Sequence, residues 1–176
     1  MITSAAVSAL GLTATSISRA SRELEDAGLL QSSKCGVQKE IFSDCSKEKI
    51  WDKAYPSLRS PVTKTLYIPG DVGDRLLLSG YSALAEYSML NPPDVPCCAV
   101  YRDKALSKQA ADELADSDTQ VEIQFWKYDP KPLACGNCVD VLSLALSLRD
   151  DPDERVEGET EEMLTTFWKE NYGKRN

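Results

Sequence analysis

The chain has 176 residues, 42% of them hydrophobic and 27% charged, the composition of an ordinary globular protein with room for one substantial domain or two small ones. No apolar run approaches the roughly 20 residues of a membrane-spanning helix, and no basic flank leads into an apolar core at the N-terminus, so the expectation is a cytoplasmic protein with no membrane partner. Six cysteines and no histidine exclude serine–histidine or cysteine–histidine catalysis and any histidine-containing zinc site. The net charge of −8 is uneven. Residues 1–66 carry nine Lys/Arg against seven Asp/Glu, a net of +2, whereas residues 67–176 carry eleven against twenty-one, a net of −10.

The stretch Ser4–Leu30 reads as helix, tight turn, helix. Ala6 and Leu10 give a short first helix one apolar stripe, Gly11 suits the turn, and Thr13 is placed to cap the next helix. In that helix Ile17, Ala20 and Leu24 recur at three- and four-residue steps and are expected to point inward. Thr15, Ser18, Arg19 and Arg22 form the opposite stripe. Short hydroxyls and guanidinium groups of this kind reach base edges and phosphates from a helix lying in the major groove of DNA. Gly28 is the expected stop. Beyond it, Lys34 to Lys39 lie between the extended residues Leu29–Gln31 and Glu40–Phe42, the pattern of a hairpin with a basic, glycine-bearing tip.

Helix, turn, helix and hairpin make a winged helix, and residues 4–42, LGLTATSISRASRELEDAGLL followed by SSKCGVQKEIF, resemble the MarR-type winged helix-turn-helix of bacterial transcription regulators. The resemblance implies that the second helix enters the major groove while the wing follows the backbone or minor groove of double-stranded DNA. Carried onto this chain, Thr15, Ser16, Ser18, Arg19 and Arg22 become the groove-facing set, with Lys34 and Lys39 on the wing and the cap residue Thr13 counted among the DNA-binding residues. It also implies a homodimer. A complete winged helix has a further helix ahead of the pair. The expectation is therefore a chain that starts inside a longer protein or from an alternative start, unless another element covers Ile17 and Leu24.

Residues 44–61 are charged, with Ile50, Trp51 and Tyr55 as apolar positions, and read as a connecting helix ended by Pro56. Then come a strand at Lys64–Ile68, a helix at Ser82–Leu90, a strand at Cys97–Tyr101, a helix at Lys104–Ala115 and a strand at Val121–Trp126. Two helices close the chain, Val139–Leu148 and Glu154–Tyr172. The expected fold is α+β: an N-terminal winged helix-turn-helix over 1–43, a connecting helix over 44–61, and a small acidic α/β sandwich domain over 62–176. The runs LLLSGYSALAEYSML and VDVLSLALSLRDDPDERVEGETEEML resemble the C-terminal part of regulators related to the AbiEi-type antitoxins. That resemblance implies an autoregulating repressor, or an antitoxin that sequesters a protein partner.

Cys97-Cys98 with Cys135-Gly136-Asn137-Cys138 offers four thiols, but adjacent cysteines are poorly spaced for one metal, so no metal and no cofactor are expected. Cys35 is the candidate for oxidative sensing. Asp112, Glu113, Asp116 and Asp118, and the glutamates 154, 157, 159, 161 and 162, read as solvated faces rather than acid–base pairs. Ser79-Gly80-Tyr81-Ser82 reads as a strand-to-helix turn. The expected function is a sequence-specific DNA-binding regulator, not an enzyme, whose acidic half dimerises through Phe167, Trp168 and Tyr172 or senses a partner or effector. An antitoxin-like protein-interaction module and a nucleotide-handling enzyme are the alternatives.

Overall fold

A computed structural model describes residues 3–36, 38–73 and 75–172. The chain is mixed α+β and divides into two compact units, Met1–Leu58 and Arg59–Asn176. No helix among the described residues is long and apolar enough to cross a membrane.

The first unit runs α1 (Thr3–Leu10), α2 (Ala14–Asp26), β1 (Gln31–Cys35), β2 (Gln38–Phe42), α3 (Lys47–Ala54) and a 3-10 turn, Tyr55–Ser57, holding Pro56. Thr13 caps α2, its hydroxyl accepting from the Ser16 N–H at 3.1 Å. At the other end Gly28 sits at φ +67, while Leu29 N–H donates to Leu24 O and Gly28 N–H to Glu25 O, the paired bonds of a Schellman stop. β1 and β2 pair antiparallel from Gln31↔Phe42 to Cys35↔Gln38. The ladder is therefore longer than the expected one, and Lys34 and Lys39 face each other inside it rather than at its tip.

The core of this unit is smaller than the periodicity implies. Ala6, Ile17, Leu29 and Ile41 are buried, but Leu10 is 47% exposed, Leu24 36%, and Ala20 is exposed. The inward stripe of α2 is Ile17 and Ser21, the serine hydroxyl donating to the Ile17 carbonyl at 2.8 Å. Leu24 and Ala20 instead line an open groove of about 320 Å³ with Leu29, Ala54 and Leu58. The reason is supply: α3 and the turn after it bring Lys53, Ala54, Ser57 and Leu58 to that side, too little apolar surface to close it.

The second unit is built on a mixed sheet of order β3-β6-β5-β4, in which β3 (Val62–Pro69) runs antiparallel to β6 (Gln120–Trp126), β5 (Cys97–Tyr101) parallel to β6, and the two-residue β4 (Leu77–Leu78) antiparallel to β5. Between strands come α4 (Gly70–Gly73), α5 (Gly80–Tyr87) and α6 (Lys104–Gln109). After the sheet follow α7 (Val141–Leu148) and α8 (Glu154–Tyr172). Alternation along β6 sends Val121, Ile123 and Phe125 to one face, where they pack with Leu66, Ile68 and Leu106 of α6. Glu122, Gln124 and Trp126 go to the other face, that of α5, which packs on β5, while α5, α7 and α8 pack on one another. Burying a side chain such as Ile123 or Leu144 completely stabilises by about 1.5–3 kcal/mol each, and those positions anchor both layers.

Two expectations on this unit are corrected. The helix expected over Lys104–Ala115 ends at Gln109, because Ala111 leaves the helical path to exchange both backbone hydrogen bonds with Tyr67 at 2.9 Å and so covers the free edge of β3. The helix expected from Ser82 begins at Gly80 and ends at Tyr87. On α8 the rings of Phe167, Trp168 and Tyr172 gather 4.9–6.0 Å apart, but Trp168 is buried in the unit's own core while Tyr172 is 48% exposed, so less aromatic surface is left for an interface than the sequence promises.

Candidate functional site

The polar face of α2 forms as the sequence indicates. Burial of Ile17 and Ser21 fixes the rotation of the helix, and Ala14, Thr15, Ser18, Arg19 and Arg22 then line one open hollow on the other side. Thr13 and Ser16 are occupied at the cap, their hydroxyls 2.9 Å apart.

The two arginines differ. Arg19 Nε donates to Glu23 Oε1 at 3.1 Å, both side chains largely exposed, whereas Arg22 makes no hydrogen bond or ion pair among the described residues. On the hairpin Lys34 is exposed, while Lys39 Nζ lies 2.8 Å from the Glu25 carboxylate. That ion pair braces the wing against α2. The bonds from Lys39 and Ser32 hold the Glu25 carboxyl below its usual range. Sequence reasoning passed over Glu23 and Glu25, although the i,i+4 spacing of Arg19 and Glu23 is itself a pairing signal. The unit Met1–Leu58 carries seven Lys/Arg and seven Asp/Glu, a net of zero. Attraction of one copy to phosphate is correspondingly weak.

The second unit holds a polar cavity of about 480 Å³ that no sequence motif announces. Its polar walls are Tyr81, Cys97, Glu122, Gln124, Ser147 and Asp151, with no lysine or arginine among its lining residues. The Tyr81 hydroxyl donates to Asp151 Oδ2 at 2.6 Å, and that bond, with partial burial and the negative charge of Asp151, pushes the tyrosine up to about 12. Cys97 Sγ donates to Glu122 Oε1 at 3.1 Å. Burial, then the Glu122 charge, raises the thiol well above its usual range. A thiol held protonated is a hydrogen-bond donor rather than a nucleophile. Gln124 Oε1 accepts from Ser79 Oγ at 2.6 Å and from Trp126 Nε1 at 3.3 Å, which locks the floor. Ser79 occupies the N-cap position of α5, yet its side chain serves Gln124 instead of the helix.

Cys97, Cys98 and the Cys135–Cys138 pair do not converge on one site. Cys97 and Cys98 are consecutive strand residues and point to opposite faces, Cys97 toward Glu122 and Cys98 toward the Gly73 carbonyl at 3.7 Å. Cys135 and Cys138 lie on a separate turn, and no group of three or more potential metal ligands occurs among the described residues. The side chain of Cys35, the expected oxidation sensor, lies outside the described residues. Asp116 closes its own turn, accepting from the Asp118 N–H and the Thr119 hydroxyl, which hold its carboxyl below the usual range. Comparisons with family models, with curated proteins and with solved structures return no match to this chain.

Proposed function

We propose that the chain is a sequence-specific DNA-binding transcription regulator, most simply a repressor, in which α1, α2 and the β1–β2 hairpin act as a winged helix. The observation that carries this reading is the hollow on α2. Thr15, Ser18, Arg19 and Arg22 share one exposed face directly after a capped helix start, and a hairpin bearing the exposed Lys34 follows. Helices with this arrangement read base edges with guanidinium and hydroxyl groups while a wing contacts the backbone. Because the unit is electrically neutral, specific binding at physiological salt requires two copies on two-fold-related half-sites about one helical turn, 34–36 Å, apart. The acidic second unit supplies the dimer contact or receives an effector.

The neutral charge also favours a second reading, in which the same unit docks a protein partner in the manner of an antitoxin. One experiment separates the two. Selection of duplexes from a randomised library with the full chain should enrich a two-fold-related motif, and Arg22→Ala should abolish the enrichment. A library that stays random after repeated rounds at low salt overturns the DNA reading and leaves the protein-partner reading standing.

A further inference from the structure

The turn Cys135-Gly136-Asn137-Cys138 brings two thiols together on a rigid base. Gly136 takes φ +60, and the two cysteines exchange both backbone bonds, Cys135 N–H to Cys138 O and Cys138 N–H to Cys135 O, each at 3.0 Å. Residues paired this way in an antiparallel ladder have Cα atoms about 5.5 Å apart and side chains on the same face. Disulfide-linked cysteines have Cα separations of about 4.4–6.8 Å. The turn is also fastened to the sheet edge: Leu78 N–H donates to Asn137 O at 2.8 Å and Val139 N–H to Leu78 O at 3.0 Å, extending β4. Tyr87 lines the same cavity as Cys135; burial raises the Cys138 thiol above its usual range, and a bond from the Tyr87 hydroxyl offsets part of that rise. Cys135 is exposed and Cys138 is buried.

Exposure of one sulfur and burial of the other divide the roles of an exchange reaction. We propose that Cys135 and Cys138 form a redox-active dithiol that cycles to an intramolecular disulfide by exchange with a small-molecule disulfide. Cys135 gives its proton to solvent and its thiolate attacks one sulfur of the incoming disulfide. The S–S bond of that molecule breaks, and one small thiolate leaves and takes up a proton. Cys138 then loses its proton and attacks the Cys135 sulfur of the mixed disulfide, expelling the second small thiol. The two cysteines are oxidised by two electrons and the incoming disulfide is reduced to two thiols.

Tyr87 is a positioning residue, its hydroxyl donating to the Cys138 sulfur as that thiol gives up its proton. Side chains in a hydrogen-bonded pair start somewhat wider, with Cβ atoms up to about 5.5 Å apart, than the roughly 3.5–4.5 Å of a relaxed disulfide, so closing the bond strains the turn and leaves it readily reduced. The pair is selected by geometry. Cys97 and Cys98 face opposite sides of the sheet, each against its own acceptor, and Cys45 belongs to the other compact unit.

The test equilibrates the full chain with mixtures of reduced and oxidised glutathione, quenches in acid, alkylates free thiols and maps the peptides by mass. The expected result is loss of two hydrogens confined to the peptide spanning Cys135 and Cys138, reversed by excess reduced glutathione. Cys138→Ser should accumulate a glutathione adduct on Cys135, Cys135→Ser should leave Cys138 unmodified, and Tyr87→Phe should slow ring closure several-fold without slowing formation of the adduct. Complete alkylation of both cysteines in excess oxidised glutathione, in the unaltered chain, overturns the proposal. So does a bond that joins either cysteine to Cys45, Cys97 or Cys98 instead.

Discussion

Replacing Gly80 by alanine should cost about 2–4 kcal/mol of the second unit's stability, the sum of about 1 kcal/mol for left-handed backbone and about 1–3 kcal/mol for overpacking. Gly80 stands at φ +51, and a Cβ there would lie 2.9 Å from Cys97 Sγ and 3.2 Å from Gln124 Nε2. Neither neighbour yields cheaply: the thiol is bonded to Glu122, and the glutamine carbonyl holds Ser79 and Trp126. Gly136 provides the control, since it has nearly the same φ of +60 but nothing within 4 Å of its Cβ position, so Gly136→Ala should lose only the backbone share of about 1 kcal/mol. Because two compact units can unfold separately, the readout must belong to the second. The urea dependence of alkylation at Cys98, buried beneath the sheet, meets that need. A double-mutant cycle completes the argument: Cys97→Ala removes the sulfur, so Gly80→Ala should cost at least about 1 kcal/mol less in that background. Equal costs at Gly80 and Gly136, or no coupling to Cys97, would refute the reasoning.

Arg22→Ala should weaken specific DNA binding by about 1–3 kcal/mol, measured by fluorescence anisotropy on a selected site. Arg19→Ala should cost less, because its guanidinium must first leave Glu23, and Glu23→Gln should tighten binding by releasing it; the reverse order would reject the assignment of this face. In a spectrophotometric titration Tyr81 should ionise near pH 12 and return toward 10 in Asp151→Asn. Since its folded value lies above the unfolded one, the stability it adds is complete below pH 10 and is lost as pH rises from 10 through 12. Ser79→Ala should destabilise the second unit by about 1 kcal/mol, at the low end for a buried hydroxyl, because Gln124 Oε1 keeps its bond from Trp126. A loss above about 3 kcal/mol would mean the network collapses as a whole.

Which parts of the molecule are legible in sequence follows from the range of the forces that shape them. β5 spans the residues its apolar run marks, and α8 the residues expected for it, because both patterns are local. The cap at Thr13 and the stop at Gly28 are set within a single turn of chain and are equally readable. By contrast α6 is cut short at Gln109 by an edge-covering bond to Tyr67, some 40 residues away, which no helical period can register. β4 has two residues and takes its identity from Cys98 and Ala99 across the ladder.

The polar cavity is hidden for the same reason. Tyr81, Cys97, Glu122 and Asp151 come from four separate stretches, and only the sheet order brings them together. On α2 the period found the outward face correctly but misjudged the inward one. Leu24 fits an apolar stripe, yet burial needs a partner surface, and the partner found at Ser21 is the helix's own Ile17 carbonyl.

Charge shows the same dependence on boundaries. The net of +2 over residues 1–66 rests on Arg59 and Lys64, and the compact unit ends at Leu58. Without those two residues the proposed DNA-binding unit is neutral. Its affinity must then come from where a few groups stand rather than from how many there are, and Arg22 is the arginine of that face left without an ion pair of its own. A neutral reader also implies a shallow salt dependence. With one arginine and one exposed lysine per copy engaging phosphate, a dimer releases about four counterions, giving a slope of log affinity on log salt near −3.6. A slope of −8 or steeper in a salt titration would show that many more cations reach the duplex than this face presents, and would move the binding surface elsewhere on the chain.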